Sequence, residues 1–160
     1  MRATGVARAP FDFDEVYAAH VLAVTRLAFL LVRSQGVAEE LAHDAFVRLY
    51  ERSDTVDNPP GFLRVAVVRL ALTWLDRHRM ERNRLVLVRG GAHEAADEPE
   101  LDETWAAIGR LAPERGTVLV LRFYEDLPFD AIGELLGCSA ATARGRAHRA
   151  LADLRTELTR

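Results

Sequence analysis

The sequence predicts an all-α fold: two small helical domains joined by a flexible acidic linker, with a helix-turn-helix at the C-terminal end. Three observations lead there. Apolar residues recur at three- and four-residue steps along most of the chain, the spacing of a helical face. The periodicity lapses at 86–100, VLVRGGAHEAADEPE, where glycine and acid dominate. At 128–154, PFDAIGELLGCSAATARGRAHRALADL, a glycine separates two helical patterns. The boundaries that follow are a disordered leader at 1–10, a helical domain at 11–85, the linker at 86–100 and a second domain at 101–160.

Composition narrows the function. An apolar share of 49% over 160 residues suffices for a packed core. All 21 basic side chains are arginine, the residue suited to bidentate phosphate and guanine contacts. The net charge of −3 looks wrong for a nucleic-acid binder until it is divided by position. Basic blocks at 64–89 and 140–160 flank an acidic block at 90–104. The lone cysteine, Cys138, excludes an internal disulfide, fits a reducing cytoplasm and reads as a small buried hydrophobe. The five histidines show no ligand spacing and there is no phosphate-binding glycine loop, so no metal, cofactor or catalytic residue is expected. No apolar run of membrane-spanning length is expected either.

The first predicted helix, from about Asp14 to Val32, carries Tyr17, Val21, Val24, Ala28 and Leu31 on one stripe. Much of its remaining surface is apolar too, which calls for burial on several sides or a docked partner. Ser34-Gln35-Gly36 breaks it. The second, about Val37 to Glu51, turns Leu41, Ala45, Phe46 and Leu49 inward and Glu39, Glu40 and Asp44 outward. Asn58-Pro59-Pro60 then starts a third helix, Gly61 to about Arg79, with Leu63, Val67, Leu70 and Trp74 on one stripe. Its end is strongly basic, and Trp74 reads either as core or as a stacking platform for unpaired bases. After the linker come Leu101, Trp105, Ile108 and Leu111 at helical spacing, then a helix opened by Pro113.

The last two helices carry the chemistry. Phe129, Ile132, Leu135 and Leu136 share a stripe, and Gly137 stops that helix in a positive-φ conformation. Ser139 caps the next, where Ala143, Ala147, Leu151 and Leu154 face inward. The outer side presents Thr142, His148 and Arg149, with Arg144 and Arg146 on its flanks. Such a helix suits the DNA major groove, its flanking arginines on phosphates and Arg149 or Thr142 at base edges. A plain helical hairpin with a solvated basic face is the other reading.

Three stretches, AEELAHDAFVRLYER at 38–52, NPPGFLRVAVVRLALTWLDRHR at 58–79 and LAPERGTVLVLRFYEDLPFDAIGELLGCSAATARGRAHRALADLR at 111–155, resemble bacterial RNA polymerase sigma factors of the extracytoplasmic-function group, sigma-70 family. The resemblance implies a factor without catalytic residues that binds core polymerase at its β′ clamp helices and β flap. Glu39, Glu40, Asp44 and Phe46 would then be polymerase-binding. Arg64, Arg69, Trp74, Arg77, Arg79, Arg82 and Arg84 would bind and open the −10 element, and Ser139, Thr142, Arg144, Arg146, His148 and Arg149 the −35 element. A separate anti-sigma factor is implied as inhibitor, able to hold an otherwise cytoplasmic protein at the membrane. The acidic linker, with Glu94, Asp97, Glu98 and Glu100, would thread the polymerase channel. Val68-Arg69 stands where the family commonly has an arginine–asparagine pair, and Asp126 replaces a turn glycine. A stand-alone helix-turn-helix regulator and a degenerate sigma-like interaction protein are the alternatives.

Overall fold

In the computed structural model of the chain the described residues are 10–89 and 102–160, and for 80–89 the description covers the helical backbone alone. Residues 1–9 of the leader and most of the predicted linker, including Glu94, Asp97, Glu98 and Glu100, lie outside the described residues.

Three helices form the first group. α1, Phe13–Val32, starts where the Asp12 carboxylate accepts from the Asp14 amide at 2.9 Å, and ends where Arg33 turns left-handed at φ 60°. Ser34 then returns to extended backbone and caps α2, Gln35–Glu51. α2 thus begins two residues before the predicted start, because Gly36 is accepted within the first helical turn. The Asn58 side chain accepts from the Gly61 amide at 3.2 Å as α3, Pro59–Arg89, begins. α3 runs ten residues past the predicted end at Arg79 and takes in Val86–Arg89, which the sequence assigned to the linker. The apolar period fades there, but no glycine or proline occurs between Gly61 and Gly90, and Leu, Arg, Met and Glu are strong helix formers.

α1 is the centre of the fold. Six consecutive residues, Leu27 to Val32, are buried, so its C-terminal half is enclosed on more than one side. α2 and α3 pack on it, and so do elements of the second half. Contrary to the sequence expectation, α1 is long and apolar enough, at mean hydropathy 1.6, to cross a membrane by length and composition. Its enclosed half shows how a core helix meets the same test.

The second group holds α4, Glu103–Arg110, α5, Pro113–Leu119, α6, Phe129–Leu136, and α7, Ala140–Leu158. Asp102 caps α4 and Pro113 occupies the first turn of α5. α5 runs into a π-helical turn, Val120–Tyr124, which the periodicity did not disclose. The Glu125 amide reaches back to the Val120 carbonyl at 3.1 Å, and the extra residue per turn leaves Phe123 facing solvent. Asp126 follows at φ 54°, the left-handed position foreseen for it. Arg115 to Asp153 at 2.5 Å and Arg110 to Glu157 at 3.3 Å tie α5 and α4 to α7.

The halves meet along α1 and α3. Arg33 lies against Gly109 of α4, where any side chain would collide with it. Arg64 of α3 pairs with Glu125 at 2.5 Å, and Arg79 with Glu114 at 3.5 Å. Tyr124 sits near this joint with its ring edge-on to Trp105. Burial pushes its hydroxyl pKa above the ordinary 10.0; Arg26 lowers it in part, and Glu125 adds to the rise.

Candidate nucleic-acid interface

The α6–α7 corner is built by two glycines with different duties. Gly137 ends α6 at φ 69°, a left-handed cap free of any Cβ penalty. Gly133, inside α6, lets the turn close on the helix. A Cβ there would stand 2.5 Å from the Cys138 carbonyl oxygen, while the Cys138 amide donates to the Gly133 carbonyl at 2.9 Å. The two segments touch backbone to backbone, which fixes the angle at which α7 leaves.

α7 buries Ala143, Ala147, Ala150 and Leu154. Leu151, predicted inward, sits half-buried at the edge, and Ala150 takes its place. Small residues let α7 lie close to α5 and α6. The opposite side exposes Thr142, Arg144, His148 and Arg149, with Arg146 half-buried. Ser139 is engaged locally: its hydroxyl accepts from the Thr142 amide at 3.1 Å and donates to the Thr142 hydroxyl at 2.9 Å. Arg149 keeps its side chain outward while its carbonyl accepts from Arg115 at 3.4 Å.

On α3, Arg69, Thr73, Asp76 and Arg77 follow one another along an exposed stripe, and Arg79 is exposed as well. Arg64 is half-buried and, like Arg79, engaged with an acid of the other half. Trp74 is half-buried, its ring stacked on His78 at 4.4 Å and 16°. Trp74 packs in part against the core, as its core reading expects. Val68 is fully buried, so only Arg69 of the unusual pair reaches the surface. Arg82 and Arg84 fall on the α3 backbone, their side chains outside the described ones.

On α2, Glu39, Glu40 and Asp44 are exposed as expected, but Phe46 is not part of their surface. It is 3% exposed, with its ring 4.9 Å from Tyr17 and 6.3 Å from Phe13. The inward stripe that included Phe46 describes it; the surface role does not. Tyr50, unremarked in the sequence, is the exposed aromatic of this helix and packs edge-on against Phe13. Sequence reasoning also missed Arg122, which lies over the Phe129 ring at 4.8 Å. No helical period links the two, because the π turn and the Asp126 corner intervene. Among the described residues no cluster of histidine, cysteine, aspartate and glutamate is placed to hold a metal.

A glycine-cornered helix pair with an arginine-bearing second helix, carried by a four-helix group, defines a helix-turn-helix domain. Residues 101–154 match the family described as sigma-70, region 4. Relatives span nearly the whole chain. The RNA polymerase sigma-E factor of Streptomyces coelicolor is 28% identical over 92% of this chain and 86% of its own length. RNA polymerase sigma factor SigV of Bacillus subtilis is 28% identical over 84% of each. The ECF RNA polymerase sigma factor SigE of Mycolicibacterium smegmatis is 30% identical over 99% of this chain and 66% of its own. The sigma factor RpoE of Bartonella quintana, solved in complex with the anti-sigma factor NepR, shares the fold at a TM-score of 0.63 and 19% identity, over 92% of this chain and 97% of that one. The chain belongs to the RNA polymerase sigma factors of the sigma-70 family, extracytoplasmic-function group.

Proposed function

We infer that this chain is a transcription initiation factor that binds core RNA polymerase, directs it to specific promoters and helps open them, with no catalytic residue of its own. The observation that carries the reading is α7. Its buried row of small residues turns Thr142, Arg144, His148 and Arg149 outward together, on a helix whose exit angle the Gly133 contact fixes. α7 enters the −35 major groove, with Arg144 and Arg146 on phosphates and Arg149 and Thr142 at base edges. Ser139 contributes as the cap that orders the first turn, His148 as an exposed neighbour of the base-reading side.

The exposed stripe of α3 takes the −10 element. Arg69 and Arg77 contact the displaced strand, joined by Arg64, Arg79, Arg82 and Arg84, and Trp74 supplies the aromatic group for an unpaired base. Arg64 and Arg79 are held by Glu125 and Glu114 in the free chain, so promoter opening exchanges two internal ion pairs for phosphate contacts. Glu39, Glu40 and Asp44 of α2 dock on the β′ clamp helices, with Tyr50 in the place expected of Phe46, and the second helical group meets the β flap. A separate anti-sigma factor restrains the protein, which works in the cytoplasm where polymerase and promoters are and is held at the membrane where its inhibitor is.

Run-off transcription with core polymerase on a pool of genomic promoter fragments tests this. Specific transcripts that vanish without the protein are expected. Tight core binding with no transcript on any fragment would favour a degenerate interaction protein. DNA binding without core binding would favour a stand-alone regulator.

A further inference from the structure

Arg144 is more than a cation on a solvated helix face. Its Cζ lies over the Phe129 ring at 5.3 Å, and the Cζ of Arg122 lies over the same ring at 4.8 Å. Phe129 is the first residue of α6, half-buried against the core, so packing holds the ring in place.

The two guanidinium groups have different duties. Arg122 donates to the Leu127 carbonyl at 3.0 Å and so closes the turn that delivers Phe129. Arg144 is exposed and, among the described residues, has no ion pair or side-chain hydrogen bond. A guanidinium over an aromatic ring uses its π face and keeps its in-plane N–H donors free for a bidentate anion. A long side chain already held in position also loses less rotamer freedom when that anion arrives.

We propose that Phe129 is a positioning residue for DNA binding: its ring holds the Arg144 guanidinium at the outer edge of the helix-turn-helix, ready for one backbone phosphate, with Arg122 locking the turn that carries the ring. The inference rests on α7 being the −35 helix. It assigns an active role to a side chain that periodicity places only on an apolar stripe.

The test uses the full chain, a labelled −35 duplex, and the variants Phe129→Leu, Phe129→Tyr and Arg144→Ala. In wild type the Arg144 side-chain resonances are shifted by the ring current; the shift disappears in Phe129→Leu and persists in Phe129→Tyr. Binding measured across a salt series becomes shallower by about 0.9 in log K against log salt for Phe129→Leu, the loss of about one phosphate contact. Affinity falls about two- to five-fold, the range of one exposed cation–π contact. Arg144→Ala gives the same slope, and adding Phe129→Leu to it changes nothing more. An unchanged slope in Phe129→Leu, or additive losses in the double variant, would overturn the proposal. So would the absence of a ring-current shift while wild type binds the duplex normally, and that result would leave the −35 reading intact. A wild-type chain with the shift but no duplex binding refutes the −35 reading itself, and the DNA role of Phe129 with it. Thermal melts check that the leucine variant is folded, and Phe129→Tyr, which keeps the aromatic face, should retain both the ring-current shift and the wild-type salt slope.

Discussion

Gly133→Ala separates a helix-propensity argument from a packing argument, because the two predict opposite signs. In an ordinary helix interior the change stabilises, as alanine exceeds glycine by about 0.5–1 kcal/mol. Here the new Cβ would lie 2.5 Å from the Cys138 oxygen, 3.2 Å from the Ser139 carbonyl carbon and 3.3 Å from the Ala140 nitrogen. All three atoms are backbone, in a turn already fixed by Gly137 at φ 69° and by the Cys138-to-Gly133 hydrogen bond. Nothing flexible can yield, so the collision carries an overpacking cost of about 1–3 kcal/mol. The net expectation is a loss of about 1–2 kcal/mol, which lowers Tm by about 2–4 °C for each kcal/mol in a chain of this size. Gly36→Ala is the control: no atom lies within 4 Å of its Cβ position, and it should leave stability unchanged or raise it by up to about 1 kcal/mol. Far-UV circular dichroism on heating and in urea compares the three proteins. A Gly133→Ala variant as stable as wild type, or more so, would refute the backbone-contact account of the corner.

Three further outcomes are expected. Arg149→Ala relaxes sequence preference at one −35 position by about 1–3 kcal/mol, read by competition among single-base-pair variants of the duplex; a uniform loss across sequences would make Arg149 a phosphate contact instead. Glu125→Gln releases Arg64, a pair of modest strength because the arginine is partly exposed, and tightens binding of a −10 non-template oligonucleotide by up to about five-fold; unchanged binding would mean that Arg64 plays no part there. Tyr124 keeps its proton longer in the folded chain than in the unfolded one. Its stabilising contribution is therefore complete below pH ~10 and is lost as pH rises through the raised folded value. Tyrosinate absorbance titrated against Tyr124→Phe should show the missing proton dissociating late; a difference curve centred at or below the ordinary tyrosine value would refute the burial.

How much the sequence disclosed depended on whether one element's own period carried the information. The α6–α7 corner was readable because Gly137, Ser139 and the Ala143–Ala147–Leu154 spacing are local signals, and the helices formed where those signals lie. The outward placement of Thr142, Arg144, His148 and Arg149 followed from the same period. The end of α3 did not, since amphipathic period and helix propensity part company after Arg79, while the helix continues to Arg89. Phe46 was ambiguous in sequence because it adjoins both the inward stripe and the acidic face; only the aromatic cluster with Phe13 and Tyr17 decides for the core.

By itself, then, the sequence determined the all-helical class, the segregation of basic and acidic blocks, and the glycine-cornered helix pair with its outward arginines, since each depends on neighbours within a few turns of one chain segment. Only tertiary structure decided that six consecutive residues of α1 are enclosed, that Arg64 and Arg79 meet Glu125 and Glu114, and that one phenylalanine ring serves both Arg122 and Arg144. Those partners stand 7 to 61 positions apart in the chain, each pair on different elements, and a helical period cannot report a contact made between helices.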